Sequence, residues 1–164
     1  VAYQINDKEK DPQYFAKLRP EIVIETARQL TALPIDVLKA EFPADSAYEK
    51  DSDRMLELCR QLDKASRVPW VLLSGGVNYE VFRQQVETAC KAGASGFLGG
   101  RALWQEATGV RQRTQRYKFL ETTAADRLKA LVKIVDATGT PWYQRLGLKR
   151  DALALASEDW YQKY

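Results

Sequence analysis

Residues 69–104, PWVLLSGGVNYEVFRQQVETACKAGASGFLGGRALW, constrain the fold more than any other stretch. They read as strand, glycine turn, amphipathic helix, strand, glycine turn and the start of another helix. Each strand runs into a glycine pair, at Ser74-Gly75-Gly76 and at Gly99-Gly100-Arg101. Glycine lets backbone N–H groups approach a ligand with no Cβ in the way. A helix opening just beyond adds the positive end of its dipole, so both turns suit an anion. Two such units in succession match the phosphate site that a (β/α)₈ barrel builds after strands seven and eight.

The rest of the chain keeps the same alternation. Residues 1–5 read as the end of a strand and residues 6–11 as a charged loop. Pro20 suits the first position of a helix whose stripe is Val23, Ala27 and Leu30. Pro34 closes that helical region, and residues 35–42, IDVLKAEF, read as a strand ended by Pro43. Asp51 or Ser52 caps a helix with the stripe Met55, Leu58, Cys59 and Leu62. Asn78 caps the next one, which turns Phe82, Val86, Ala89 and Cys90 inward and ends at Gly93.

Beyond the second turn, a helix starting after Thr122 or Thr123 presents Leu128, Leu131, Val132 and Val135. Gly139 and Pro141 stop it. Residues 142–164 form a tail whose Trp142, Leu146 and Trp160 pack on the outside. Strands alternating with helices imply parallel strands joined by right-handed crossovers. The expected fold class is therefore α/β, a partial (β/α)₈ barrel. With 164 residues the chain falls short of the ~250 that a closed barrel needs.

Composition narrows the chemistry. The chain carries no histidine, which removes Ser-His-Asp and Cys-His nucleophile systems and the commonest zinc sites. No metal site is expected, so lysine, carboxylates, tyrosine or backbone groups must act. A net charge of +3 favours small anions and is too weak to argue for nucleic acid. Arg111, Arg113, Arg116 and Lys118, near Tyr117 and Phe119, read as a solvated face. Cys59 and Cys90 lie on apolar helix stripes and read as buried free thiols of a reducing compartment, the cytoplasm. No run approaches the ~20 apolar residues of a membrane span, and the first residues lack a signal-peptide pattern. A start at Val1 suggests a processed, trimmed or truncated chain.

Lys39 is the sharpest single residue. Alternation along IDVLKAEF puts Ile35, Val37, Lys39 and Glu41 on one face. A lysine desolvated there is the nucleophile a Schiff-base enzyme needs. A strand-end lysine that reaches solvent or pairs with Glu41 explains the same pattern, and the pattern alone favours that simpler account. At the turns, the Ser74 hydroxyl and the Arg101 guanidinium add a donor and a fork for phosphate. Tight turns that merely pack helix on strand explain the glycines equally well. Asp36 and Glu41 are candidate acid–base groups, and Trp104 reads as a packing residue.

IDVLKAEFP, PWVLLSGGV and AGASGFLGGRALW together resemble the C-terminal half of the tagatose-1,6-bisphosphate aldolase family, which includes the sulfofructosephosphate aldolases. The resemblance runs over residues 1–147 and leaves 148–164 as a tail without a counterpart. It implies strands six to eight of a class I aldolase barrel plus the end of strand five, with no cofactor. It places Lys39 on the Schiff-base lysine, Ser74 and Gly75 on the strand-seven phosphate contacts, and Gly100 and Arg101 on the strand-eight contacts. Glu41 is a possible supporting residue. The implied partner is a phosphorylated ketose, cleaved to dihydroxyacetone phosphate and an aldehyde. A non-catalytic phosphate-binding half-barrel is the alternative. The family's proton-transferring glutamate falls just before the point matching Val1, so the 164 residues alone are expected to cleave little substrate. Four strands leave two long edges, so the chain is expected to form a homo-oligomer or to belong to a longer protein.

Overall fold

The computed structural model describes residue 6 and residues 8–153. The strand expected at residues 1–5, and Trp160 in the tail, lie outside them. Helix α1 spans Pro12–Leu30, after a short 3₁₀ turn at Lys8–Lys10. Asp11 caps it, its side chain accepting from the Gln13 and Tyr14 amides, and Pro12 opens it. The helix thus starts eight residues earlier than Pro20 suggests. Pro20 sits inside it, where its missing N–H forgoes a single ladder bond. Val23 and Ala27 are buried, as their spacing predicts.

Strand β1 covers only Leu38–Ala40 of the expected 35–42. It is followed by α2 (Ser52–Ala65), β2 (Trp70–Leu73), α3 (Tyr79–Lys91) and β3 (Gly96–Leu98). Asp51 caps α2 and Asn78 caps α3, each with a side-chain oxygen accepting backbone N–H bonds. The three strands are parallel in the order β1-β2-β3. Their register sets Lys39 beside Val71 and Val71 beside Gly96.

That register separates two faces. Leu38, Ala40, Trp70 and Leu72 point under the helices and are buried with Leu58, Leu62, Phe82 and Val86. Phe97 joins them, edge-on to Phe82 at 6.0 Å. The opposite face carries Val37, Lys39, Glu41, Val71, Leu73 and Leu98. Val37 and Leu98 are each about half exposed there. This is one layer of helices on one face of a parallel sheet, consistent with a sector of a barrel whose inner face is open.

Beyond β3, α4 (Arg101–Trp104) runs into a 3₁₀ turn at Gln105–Gly109. Helices α5 (Arg113–Phe119) and α6 (Ala125–Thr138) are joined by a π turn at Leu120–Ala124, with no side-chain cap between them. The helix expected to start after Thr122 or Thr123 therefore begins near Arg113. On α6, Leu131 is buried against the α3 side, and Ile134 and Val135 pack at its margin. Leu128 and Val132, expected in the same stripe, are more than 40% exposed. Trp142 and Leu146 are exposed as well. What secures the segment around α7 (Trp142–Arg145) is Arg145, whose guanidinium bonds the Asp63 carboxylate and the Ser66 carbonyl. Among the described residues no helix is long and apolar enough to cross a membrane.

Candidate functional site

The strand ends gather the two glycine turns. After β2 the chain turns at Ser74-Gly75-Gly76, where Gly75 and Gly76 take φ of +58° and +85°. Those angles lie in the left-handed region that glycine alone enters cheaply. After β3, Gly100 stands directly before α4, and a β-carbon built on it would meet nothing within 4 Å. Gly99, by contrast, is a packing glycine, since its β-carbon would lie 3.1 Å from the Phe82 ring. The second pair therefore divides its work: one glycine packs and the other stays open.

The two turns converge. A β-carbon built on Gly76 would lie 3.4 Å from Arg101 Nη2, so the guanidinium of the second turn lies over the backbone of the first. Between them is a cavity of about 480 Å³ lined by Gly76, Asn78, Arg101, Gln105, Glu106 and Thr108. An exposed guanidinium beside a glycine turn and the capped start of α3 favours an anionic oxygen group. Of the predicted site residues Arg101 lines this cavity, while Gly75 and Gly100 are not in its lining and stand next in the chain to Gly76 and Arg101, which are. Ser74, half-buried, is the residue that links β2 to Gly75.

Lys39 stands apart from this cavity, on the inner face of β1. It lines a second cavity, about 380 Å³, with Phe15, Arg19, Ala27, Glu41 and Leu73. Leu73 immediately precedes Ser74, so the two cavities border the same strand end. Lys39 is exposed, as the simpler account of a strand-end lysine reaching solvent has it, and not desolvated as the Schiff-base account requires. The apolar residues of β1 serve the helix face, and nothing among the described residues covers the other face. The Lys39–Glu41 pair is also absent. Glu41 instead accepts from Arg19 Nη2 at 2.7 Å, and Arg19 Nε donates to the Phe42 carbonyl at 3.1 Å. The side chain of Arg19, on α1, therefore clamps the end of β1. Asp36 is exposed, and Trp104 is 41% exposed rather than packed.

Sequence reasoning missed Arg127. Its guanidinium donates to Glu106 Oε1 at 2.7 Å and to the Leu103 carbonyl at 3.2 Å, and it lies over the Tyr79 ring at 4.7 Å. The hydrogen bond from Arg127 holds the Glu106 carboxyl below its ordinary range, and the same bond raises Arg127. Its position on α6, an ordinary charge in a helical pattern, carried no signal. Arg19 was silent for the same reason.

The two thiols are shielded from solvent. Burial pushes Cys59 up to about 12 and Cys90 up to about 11, so both stay protonated and neutral near pH 7. Both are free and buried, as their helix positions predict. Among the described residues no group of three or more His, Cys, Asp or Glu side chains could hold a metal ion.

Comparison with known proteins places this geometry in context. The model of the family described as DeoC/LacD family aldolase matches residues 2–106, which include β1, both glycine turns and α4. Tagatose 1,6-diphosphate aldolases of Staphylococcus aureus strains JH9 and Newman are each 30% identical to the chain over 162 aligned positions. The alignment covers 88% of this chain and 49% of either relative. The chain spans about half the length of the curated relatives it matches.

Proposed function

Because the chain belongs to the DeoC/LacD family of aldolases, we propose that it supplies the Schiff-base lysine and the phosphate-binding turns of a class I ketose-bisphosphate aldolase. The observation that carries this reading is the convergence of Gly76 and Arg101 at the ends of β2 and β3, one strand away from Lys39. Arg101, Ser74 and the amides near Gly75 and Gly100 would hold the phosphate of the dihydroxyacetone half. The substrate carbon chain then extends along the inner face of β2 toward the Lys39 amine. The relatives are named for tagatose 1,6-diphosphate, and the cleavage proposed for that ketose would release dihydroxyacetone phosphate and glyceraldehyde 3-phosphate. A sulfofructose-type phosphate offers the same dihydroxyacetone phosphate half.

In this mechanism the neutral Lys39 amine attacks the C2 carbonyl, and loss of water leaves an iminium. A base removes the C4 hydroxyl proton. The C3–C4 bonding pair moves toward the iminium nitrogen, and the aldehyde leaves as an enamine forms. Protonation at C3 and addition of water release dihydroxyacetone phosphate and return the amine. Glu41 is a poor base for this cycle, because Arg19 already holds its carboxylate. The proton-transfer group is expected from a segment that covers the inner face, and that cover would also desolvate Lys39.

The exposure of Lys39 favours a second reading, a non-catalytic phosphate-binding half-barrel. Reductive trapping separates the two. Incubation with dihydroxyacetone phosphate and borohydride is expected to add one reduced adduct on Lys39, located by peptide mass spectrometry and lost in Lys39→Met. Binding of dihydroxyacetone phosphate without any adduct would leave the binding module as the correct reading.

A further inference from the structure

We propose that Arg127 is a positioning residue for the anion cavity: it holds Glu106 away from Arg101, so that the Arg101 guanidinium stays available to a phosphate group. This rests on the reading of the two glycine turns as the phosphate site. Glu106 lines the same cavity as Arg101 and follows it by five residues across α4 and the 3₁₀ turn. An unpaired carboxylate there would repel a phosphate or occupy the guanidinium meant for it. Arg127 removes both problems by taking Glu106 Oε1 at 2.7 Å.

The geometry around Arg127 is that of a fixed brace. Its side chain is 19% exposed, against 51% for Glu106. One nitrogen donates to the Leu103 carbonyl in α4 and the other to Glu106 in the turn beyond, so the fork spans the segment that begins with Arg101. The guanidinium carbon lies 4.7 Å from the ring centre of Tyr79, the first residue of α3, and 5.6 Å from that of Phe119. A single guanidinium thus touches both helices that open after the glycine turns. With two aromatic rings within about 6 Å and two acceptors, it is held against releasing Glu106.

Calorimetric titration with dihydroxyacetone phosphate tests the proposal. Arg127→Ala is expected to weaken binding about tenfold, the scale of one charge-assisted hydrogen bond lost to a competing carboxylate. Glu106→Gln is expected to bind at least as well as the parent. The double variant Arg127→Ala/Glu106→Gln is expected to regain most of the lost affinity, because no free carboxylate remains. A purely structural Arg127 would leave the double variant as weak as the single one, and that result overturns the proposal. So does parental affinity in Arg127→Ala. Arg101→Ala distinguishes the underlying reading. If it abolishes binding while Arg127→Ala does not weaken it, only the brace is wrong. If Arg101→Ala binds normally, the phosphate site itself is wrong and the brace falls with it.

Discussion

At the scale of single residues, the glycines carry the most information, and they do different jobs. Gly75 and Gly76 are required by backbone angle, Gly99 by close packing, and Gly100 leaves open space. Gly93 combines two of these demands. It takes φ of +118°, and a β-carbon on it would lie 2.5 Å from Asp63 Oδ1. That carboxylate is not free to move, because it accepts from Trp70 Nε1 at 2.9 Å and from Arg145. Gly93→Ala is therefore expected to destabilise the chain by about 2–4 kcal/mol, from backbone strain plus overpacking. A urea midpoint unchanged from the parent would contradict this. In the sequence Gly93 was readable as a helix-ending glycine. Its contact with Asp63, thirty positions away, was not.

At the scale of elements, helix existence followed from periodicity while helix faces did not. The α3 stripe and Leu58, Cys59 and Leu62 of α2 are buried as their spacing predicts, with Met55 partly buried at the margin, because each helix covers the sheet on one side. For α6 the same reasoning named four apolar positions, and the structure divides them. Leu131 is fully buried, Val135 is partly buried, and Leu128 and Val132 face solvent. Leu131→Ala is expected to cost about 2–5 kcal/mol, as for other buried leucines. Leu128→Ala and Val132→Ala are each expected to cost no more than about 1 kcal/mol. Thermal unfolding of the three variants would check the division, and equal losses would contradict it. The π turn at Leu120–Ala124 explains why the start of this helix was misplaced. With no capping side chain needed, the threonines there signalled a beginning that does not exist.

At the scale of the whole molecule, the sheet is unfinished. Among the described residues β1 and β3 each pair on one side only, and one sheet face has no helix layer. Parallel sheets are seldom stable with a bare face, because both sides of their strands tend to be apolar. Val37 and Leu98 on the bare face, and Leu128 and Val132 on α6, are among the apolar groups left to solvent. The 164 residues in isolation are therefore expected to self-associate, and light scattering should report a mass above that of an 18.7 kDa chain. A stable, cooperatively folding monomer would show that these edges need no cover.

Local chemistry alone determined much of this protein: the alternation of helix and strand, the caps at Asp51 and Asn78, the buried thiols, and the two glycine turns with Arg101 at the end of the second. Those features depend on residues within a few positions of one another, so periodicity and turn preference suffice to read them. Only the tertiary structure decided that Arg101 lies over Gly76, that Arg19 takes Glu41, that Arg127 takes Glu106, and that Lys39 faces an open side. Each of these depends on a register or crossing that joins segments more than twenty residues apart. The exposure of Lys39 depends in addition on what covers the inner face, which no pattern along β1 encodes.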